Sequence, residues 1–302
     1  MKLISFDHNG FPAAAIVSTV DDGTELVLPL LERDPMGSPT PVSMRDVLED
    51  WPRWSDQFTV IQDEATPDGW RPISEVAVLA PVPHPRSLIC IGLNYRDHAI
   101  ETGAETPKYP VVFAKHSSSI VGTGADVILP GASTEVDYEA ELAVVIGRRV
   151  FQATPDEAIR AVAGYTVMND VSARDWQART SQWMTSKSFP TFGPMGPALV
   201  TADELGDGSG LRIGLRVNGE TLQDSTTSQM IFGVAELVSY LSQFWPVEPG
   251  DVIATGTPAG VGFTRHPPIF LRDGDDIETF IEGIGVLSNR VVSAAVLADA
   301  ST

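Results

Sequence analysis

The stretch from residue 135 to residue 147 reads Glu135-Val136-Asp137-Tyr138-Glu139-Ala140-Glu141-Leu142-Ala143-Val144-Val145-Ile146-Gly147. Its β-branched apolar end and its closing glycine predict a β-strand. Because side chains along a strand alternate between faces, Glu135, Asp137, Glu139 and Glu141 are expected on one face. Stacked carboxylates repel, and a hard divalent cation such as Mg²⁺ or Ca²⁺ would remove that cost. The pattern favours a metal site, with a solvated acidic edge strand as the alternative.

A third carboxylate follows in the sequence. Thr154, Pro155 and Glu157 have the pattern of a helix start, which predicts a helix from there to Ala163. The next apolar run predicts a strand over residues 165–170 that ends in Asp170. If this strand lies beside the acidic one, Asp170 completes a three-carboxylate site with Glu139 and Glu141.

Composition limits the classes of partner. The chain has 302 residues, 43% hydrophobic and 20% charged, and a formal net charge of −20. Such a charge argues against nucleic acid and against an anionic membrane surface, since both would repel it. The single cysteine, Cys90, excludes a disulfide framework. The first residues lack a signal-peptide pattern and no apolar run is long enough for a bilayer, which predicts a cytoplasmic protein.

The chain divides at a proline-rich stretch, Pro81-Val82-Pro83-His84-Pro85. Alternate prolines break regular structure, so we predict a small β-rich N-terminal domain over residues 1–82 and a second domain over residues 83–302. Asn9-Gly10 predicts a hairpin in the first domain. In the second, apolar spacing predicts a helix over residues 226–244 and a closing strand over residues 286–297.

Several polar residues are candidates for chemistry. His98 and Glu101 fall one helical turn apart in a short helix closed by Gly103, so they form either a water-activating pair or an exposed ion pair. Residues 113–119 cluster hydroxyls and cations, which could hold a carboxylate or form a plain turn. Lys187 lies in a predicted loop, as an anion-binding or an ordinary surface lysine. Arg174 and Gln177 follow Asp170 in the sequence and are therefore expected near the site. Thr257 is a further candidate and lies in a glycine-rich loop that lacks a phosphate-binding signature.

Together and in this order, these motifs resemble the fumarylacetoacetate hydrolase family. The resemblance covers about residues 85–295 and rests on the segments Gly92-Leu93-Asn94-Tyr95 with His98 and Glu101, Asp137-Tyr138-Glu139-Ala140-Glu141-Leu142, Asn169-Asp170-Val171-Ser172-Ala173-Arg174-Asp175, Lys187-Ser188-Phe189 and Thr255-Gly256-Thr257-Pro258-Ala259-Gly260. It implies an α+β, β-rich fold with a mixed β-sandwich roll in the C-terminal domain, and a homodimer.

The resemblance also implies roles for the candidate residues. Glu139, Glu141 and Asp170 would bind Mg²⁺, with Mn²⁺ or Ca²⁺ as alternatives. His98 and Glu101 would activate water, and Lys187 would stabilise an enolate or carboxylate. The residues expected to touch substrate are Arg174, Gln177, Thr191 and Thr257.

The function this implies is a metal-dependent hydrolase that cleaves a C–C bond in an acylpyruvate-like or 1,3-diketo acid, a small anionic 2-oxo acid or β-diketone. Other functions that use the same metal-stabilised enolate are the alternatives: a 2-oxo acid decarboxylase, an isomerase or tautomerase, or a sugar-acid dehydratase. A protein that binds a metal without catalysis is a further alternative.

Overall fold

In the computed structural model, which describes residues 1–294, β-strands are joined by short helices. The strands are β1 (Lys2–His8), β2 (Phe11–Thr19), β3 (Glu25–Pro29), β4 (Leu31–Arg33), β5 (Pro39–Pro41), β6 (Arg71–Pro72), β7 (Val78–Leu79), β8 (Leu88–Gly92), β9 (Val111–Ala114), β10 (Ile120–Val121), β11 (Asp126–Leu129), β12 (Val136–Asp137), β13 (Ala140–Ile146), β14 (Val162–Asn169), β15 (Ser172–Ala173), β16 (Gly193–Thr201), β17 (Arg212–Val217), β18 (Glu220–Thr226), β19 (Val252–Ala254), β20 (Asp276–Ile281) and β21 (Gly285–Ser293). The α-helices are α1 (Met44–Glu49), α2 (Trp51–Glu64), α3 (Arg96–Thr102), α4 (Pro155–Ile159), α5 (Arg174–Gln177), α6 (Met184–Lys187), α7 (Ala202–Leu205) and α8 (Val234–Ser242). The predicted β-rich α+β class is confirmed.

Among the described residues there are two large sheets and two two-stranded ones, β4 with β5 and β12 with β15. The larger sheet has the order β6-β3-β2-β1-β16-β14-β13-β19-β8-β9, with β7 beside β1 and β10 beside β16. The second sheet has the order β11-β21-β20-β17-β18. Strand β13, which carries the end of the acidic stretch, lies between β14 and β19 in the interior of the larger sheet.

The apolar run of β13 is buried on both faces because each face meets a different core. Leu142 and Val144 belong to the cluster that also contains Leu215 and other residues of the second sheet. Ala143 and Val145 belong to a second cluster that includes residues of α1 and α2. A strand enclosed in this way reads as a continuous apolar run, and this explains the sequence from 142 to 146.

The N-terminal strands extend the larger sheet. In β1, Leu3 pairs with Leu199 of β16, and β1 also pairs with β2. The turn between β1 and β2 is the predicted hairpin, with positive φ at both Asn9 (55°) and Gly10 (84°). The division of the chain at residue 82 stays a prediction.

Two predicted helices are shorter than expected. The first ends at Ile159, because the chain from Val162 onward pairs with β13 as a strand. The second, predicted over residues 226–244, is a 3₁₀ turn (Thr227–Gln229) followed by α8. Between them, the backbone N–H groups of Ile231 and Phe232 donate to Asn94, and this holds the chain out of helical geometry.

The acidic stretch is not one strand, so the prediction of a single strand from residue 135 is wrong. Val136 and Asp137 pair with β15, whereas Ala140 and the residues after it pair with β14. Between the two ladders, the N–H of Glu139 donates to the side chain of Asn169 and its carbonyl accepts from Asp170. The carboxylates therefore divide into two groups, with Asp137 in β12 and with Glu139 and Glu141 around the start of β13.

The last strand is close to its predicted position. β21 ends at Ser293, and residues 295–297 of the predicted strand lie outside the described residues. Within residues 1–294, none of the helices combines the length and the apolar character that a membrane crossing requires.

Candidate metal and catalytic site

Three carboxylates meet at the ends of β13 and β14. The antiparallel register places Ala140 opposite Asn169, so Glu139, Glu141 and Asp170 converge at the same edge. One carboxylate oxygen from each lies within 4.8 Å of the others, and all three side chains are buried. The sequence left open whether the strand ending in Asp170 lies beside the acidic strand, and the pairing of β13 with β14 places it there.

Buried cations neutralise two of these carboxylates. Nζ of Lys187 lies 2.7 Å from Glu139 Oε2 and 2.7 Å from Asp170 Oδ2, and Nζ of Lys115 lies 2.6 Å from Asp170 Oδ1. Burial alone would raise the pKa of Glu139, but the charges of Lys187 and Arg174 outweigh it and lower that pKa to about 2. Burial opposes the charged form of Lys187, yet Asp170 and Glu139 raise its pKa overall.

Glu141 differs from its two neighbours. Among the described residues it forms no ion pair, and the N–H of Gly256 donates to its Oε2 at 2.9 Å. Burial, followed by the charges of Asp170 and Glu139, raises its pKa well above the usual range. A hard divalent cation takes oxygen ligands and would stabilise the ionised form, so this set of donors fits such an ion.

The helix after β8 carries a histidine–carboxylate pair. In α3, His98 Nδ1 lies 2.9 Å from Glu101 Oε2, and Gly103 ends the helix with a φ of 67°. The other oxygen of Glu101 accepts from the N–H of Gly260 at 2.8 Å and from the Thr264 hydroxyl at 2.9 Å. Burial would raise the pKa of Glu101, but these hydrogen bonds hold it below its usual value. Because Nδ1 is engaged by Glu101, Nε2 is the nitrogen left for a substrate.

Arg174 is held by residues on several segments. Its Nε donates to Asp137 Oδ2 at 2.8 Å, its Nη1 donates to Gln177 at 2.9 Å, and its Nη2 lies 2.7 Å from Glu139 Oε1. The ring of Phe263 lies 4.4 Å from the guanidinium carbon. Burial disfavours the charge, but Asp137 and Glu139 raise the pKa of Arg174 overall. Asp137, the carboxylate of the other group, thus fixes this arginine.

A cavity of about 240 Å³ opens onto these groups. Of the residues singled out from the sequence, those that line it are His98, Glu139, Glu141, Arg174, Gln177, Lys187 and Thr257. Glu101 and Asp170 are not part of the lining, but they contact the lining residues His98 and Lys187. Thr191 is not part of the lining, since its hydroxyl accepts from the N–H of Ile128 at 2.7 Å. A direct contact between Thr191 and a substrate stays a prediction.

Some features of the site were not predicted from the sequence. Lys187 is on a short helix and is only 2% exposed, so the prediction of a loop is wrong. Lys115, in the segment of clustered hydroxyls and cations, binds the carboxylate of Asp170. Phe113 and Trp183 line the cavity and gave no signal that separates them from core aromatics.

The sequence model described as the C-terminal domain of fumarylacetoacetate (FAA) hydrolase matches residues 87–292. Oxaloacetate tautomerase Fahd2a, mitochondrial, of Rattus norvegicus is 50% identical over 222 residues, which are 73% of this chain and 71% of that protein. Oxaloacetate tautomerase fahd2, mitochondrial, of Xenopus laevis is 41% identical over 97% of this chain and 90% of its own length. The crystal structure of 2-hydroxyhepta-2,4-diene-1,7-dioate isomerase from Mycobacterium marinum is 33% identical, with a TM-score of 0.75 over 97% of this chain and 99% of that one.

These relatives correct one prediction. The sequence predicted a hydrolase that cleaves a C–C bond, whereas the similar proteins are named as tautomerases and an isomerase, so the main prediction is wrong and its isomerase or tautomerase alternative is favoured. The predicted family is confirmed, because its model matches more than half of the chain. The chain belongs to the fumarylacetoacetate hydrolase family of enzymes.

Proposed function

We propose that this chain interconverts the enol and keto forms of oxaloacetate or of a similar small 2-oxo diacid. The observation that carries the proposal is that His98, which is held by Glu101, and the buried carboxylates of Glu139 and Glu141 line one cavity. A general acid–base group beside a site for a cation is what proton transfer next to a carbonyl requires. The names of the relatives support the same reaction class.

The cavity suits a small dianion. Its volume of about 240 Å³ is below the roughly 300–1,000 Å³ typical of ligand pockets. Arg174, Gln177 and Thr257 offer a charged group, an amide and a hydroxyl at its wall, and Lys187 adds a second cation. A substrate carboxylate would bind to Arg174, because a guanidinium matches a carboxylate in both charge and geometry.

Glu139, Glu141 and Asp170 would hold the metal. We propose Mg²⁺, with Mn²⁺ or Ca²⁺ accepted by the same oxygen donors. When bound, the ion would act as a Lewis acid and stabilise negative charge on the oxygen at C2 of the substrate.

The proton transfer falls to the His98–Glu101 pair. From enol to keto, the O–H bond of the hydroxyl at C2 breaks and the C2–O bond becomes a double bond. The C2=C3 double bond becomes a single bond, and a C–H bond forms at C3. One proton leaves and one arrives, so the imidazole of His98 is returned to its starting state. Glu101 fixes the ring through Nδ1 and directs Nε2 towards the cavity. Lys187 stabilises the enolate, and no C–C bond breaks.

Two further expectations belong to this proposal. A homodimer stays a prediction from the family resemblance. A cytoplasmic location also stays a prediction, and the similar tautomerases are named as mitochondrial.

The test is an assay of enol loss. Oxaloacetate is supplied as the enol, its ultraviolet absorbance is followed with Mg²⁺ or with a chelator, and pyruvate release is measured in parallel. We expect a loss of enol faster than the spontaneous rate, abolished by the chelator and by Glu141→Gln, without matching pyruvate. Pyruvate formed at the same rate would indicate a decarboxylase instead. No acceleration with oxaloacetate would reject the proposal.

A further inference from the structure

One wall of the cavity is apolar and borders the charged groups. It is formed by Gly92 at the end of β8, Phe113 in β9 and Trp183 at the start of α6. The rings of Phe113 and Trp183 meet edge to face, with centroids 5.4 Å apart and an interplanar angle of 70°. Such a pair is a favoured aromatic geometry, so each ring restricts the other.

The glycine at position 92 makes room for the indole. A Cβ atom built there would overlap Trp183 Cζ3 and would lie 3.0 Å from Cη2, and its nearest neighbours all belong to this indole. Gly92 does not have a positive φ, so its backbone would accept alanine. The lack of a side chain at this position is therefore explained by the ring of Trp183 that packs against it.

The wall begins beside the carboxylates. Nζ of Lys187 lies 5.2 Å from the centroid of Phe113, and the ring of Trp183 follows Phe113 along the wall. Lys187 and Trp183 also belong to one local unit, because the carbonyl of Trp183 accepts from the N–H of Lys187 at 3.2 Å. The indole of Trp183 therefore lies in the cavity wall next to the ring that contacts Lys187.

We propose that Trp183 determines substrate size: its indole limits the substituent that the substrate can carry at C3. This inference rests on the proposed function for the identity of the anchored end. The ring is held by Phe113 on one side and by the backbone of Gly92 on another, so it cannot move aside at low cost. A small group at C3, such as the carboxylate of oxaloacetate, fits in front of it, and a benzyl-sized group overlaps it.

Binding of two unreactive dicarboxylates tests this inference without turnover. Malonate and benzylmalonate differ by one benzyl group on the central carbon, and their Kd values are measured by titration calorimetry with Mg²⁺ present. For the wild-type protein we expect malonate to bind and benzylmalonate to bind at least tenfold more weakly. For Trp183→Ala we expect the affinity for benzylmalonate to increase at least tenfold relative to the affinity for malonate, because the space left by the indole accepts the phenyl ring.

Two variants serve as controls. Met184→Ala changes the next residue of the same helix, which is 43% exposed and not part of the cavity wall, and should leave the Kd ratio unchanged. Trp183→Leu keeps apolar packing and should give an intermediate ratio, which covers the case in which Trp183→Ala does not fold. A ratio that stays within threefold of wild type in both Trp183 variants would overturn the inference.

A second measurement tests the contact itself. Gly92→Ala should lower Tm in the wild-type background and have little effect in the Trp183→Ala background, since the clash is with the indole alone. Equal losses in both backgrounds would show that the indole does not occupy this position. If oxaloacetate is not turned over but the ligand ratios change as expected, the proposed function fails and the size limit stands.

Discussion

Nδ1 of His98 lies 2.9 Å from Oε2 of Glu101. This contact fixes the ring, and it needs the segment from Gly260 to Thr264, which holds the second oxygen of Glu101. The histidine is thus positioned by a carboxylate that is itself positioned by a loop from the far end of the chain. Such support is what allows a single imidazole to serve as a proton carrier with a defined direction.

The first prediction concerns this pair. His98→Ala should lower kcat for enol–keto conversion by roughly 10²–10⁴-fold, the usual contribution of general acid–base catalysis. Ile100→Ala, on the same helix and 82% exposed, should leave kcat unchanged. Steady-state kinetics with oxaloacetate measure both variants. A His98→Ala enzyme with wild-type kcat would remove the imidazole from the mechanism.

The second prediction concerns Lys115, whose buried ion pair with Asp170 was not predicted from the sequence. Lys115→Met leaves a carboxylate oxygen of Asp170 buried without its cation, and breaking a buried ion pair costs about 3–5 kcal/mol in unfolding free energy. Lys2→Met removes a partly exposed ion pair to Glu25, worth about 1 kcal/mol or less. Urea denaturation of both variants measures the difference. Equal losses would mean that the Lys115–Asp170 pair is exposed to water in solution.

The third prediction concerns pH and metal. Glu141 has a raised pKa, so between its unfolded and folded pKa values the folded state holds a proton that the unfolded chain has released. The chelated protein should therefore lose stability as pH rises above 4.5, the ordinary pKa of a glutamate side chain. The depressed pKa of Glu139 acts only below about pH 4.5, outside this window.

Excess Mg²⁺ should raise Tm more at pH 8 than at pH 5, because the metal needs the ionised carboxylate. Differential scanning calorimetry across this range measures both effects. In Glu141→Gln, the slope attributed to Glu141 and the response to Mg²⁺ should both disappear. Parallel slopes for wild type and variant would contradict the burial and charge that we assign to Glu141.

The fourth prediction concerns substrate binding. In Arg174→Lys, the new ammonium group cannot contact Asp137, Glu139 and Gln177 at once, because it lacks the planar fork of a guanidinium. We expect KM for oxaloacetate to rise at least tenfold. Arg179→Lys changes an exposed arginine five residues further along the chain, is the matched control, and should leave KM unchanged. If the two variants have the same KM, Arg174 does not bind the substrate.

Strand periodicity and a family pattern located much of the site. Strand periodicity predicted Glu139 and Glu141 on one face, and the family resemblance assigned Asp170 to the same site, since spacing alone left the adjacency of the two strands open. Asp137 was placed with them, but it lies before the break between β12 and β13 and holds Arg174 instead. A break in a ladder depends on which strands pair, and residue spacing carries no information about that.

Long-range contacts explain the other differences. The burial of Lys187 and Lys115 follows from carboxylates distant in sequence, so a lysine in a polar segment gave no sign of it. The helix predicted to reach Ala163 gave way to a strand because pairing with β13 outweighs local helical preference. Trp183 looked like any core aromatic until its contact with Gly92 was known.

The pairing of β1 with β16 has a mechanical consequence. Since β16 also pairs with β14, the N-terminal segment is joined by hydrogen bonds to the strand that delivers Asp170. Removal of residues 1–82 would expose the edge of β16 that β1 now covers. The unpaired backbone groups on that edge would be a template for aggregation. The first eighty residues thus cover an edge of the sheet that carries the catalytic residues. We expect their removal to reduce solubility before it changes activity.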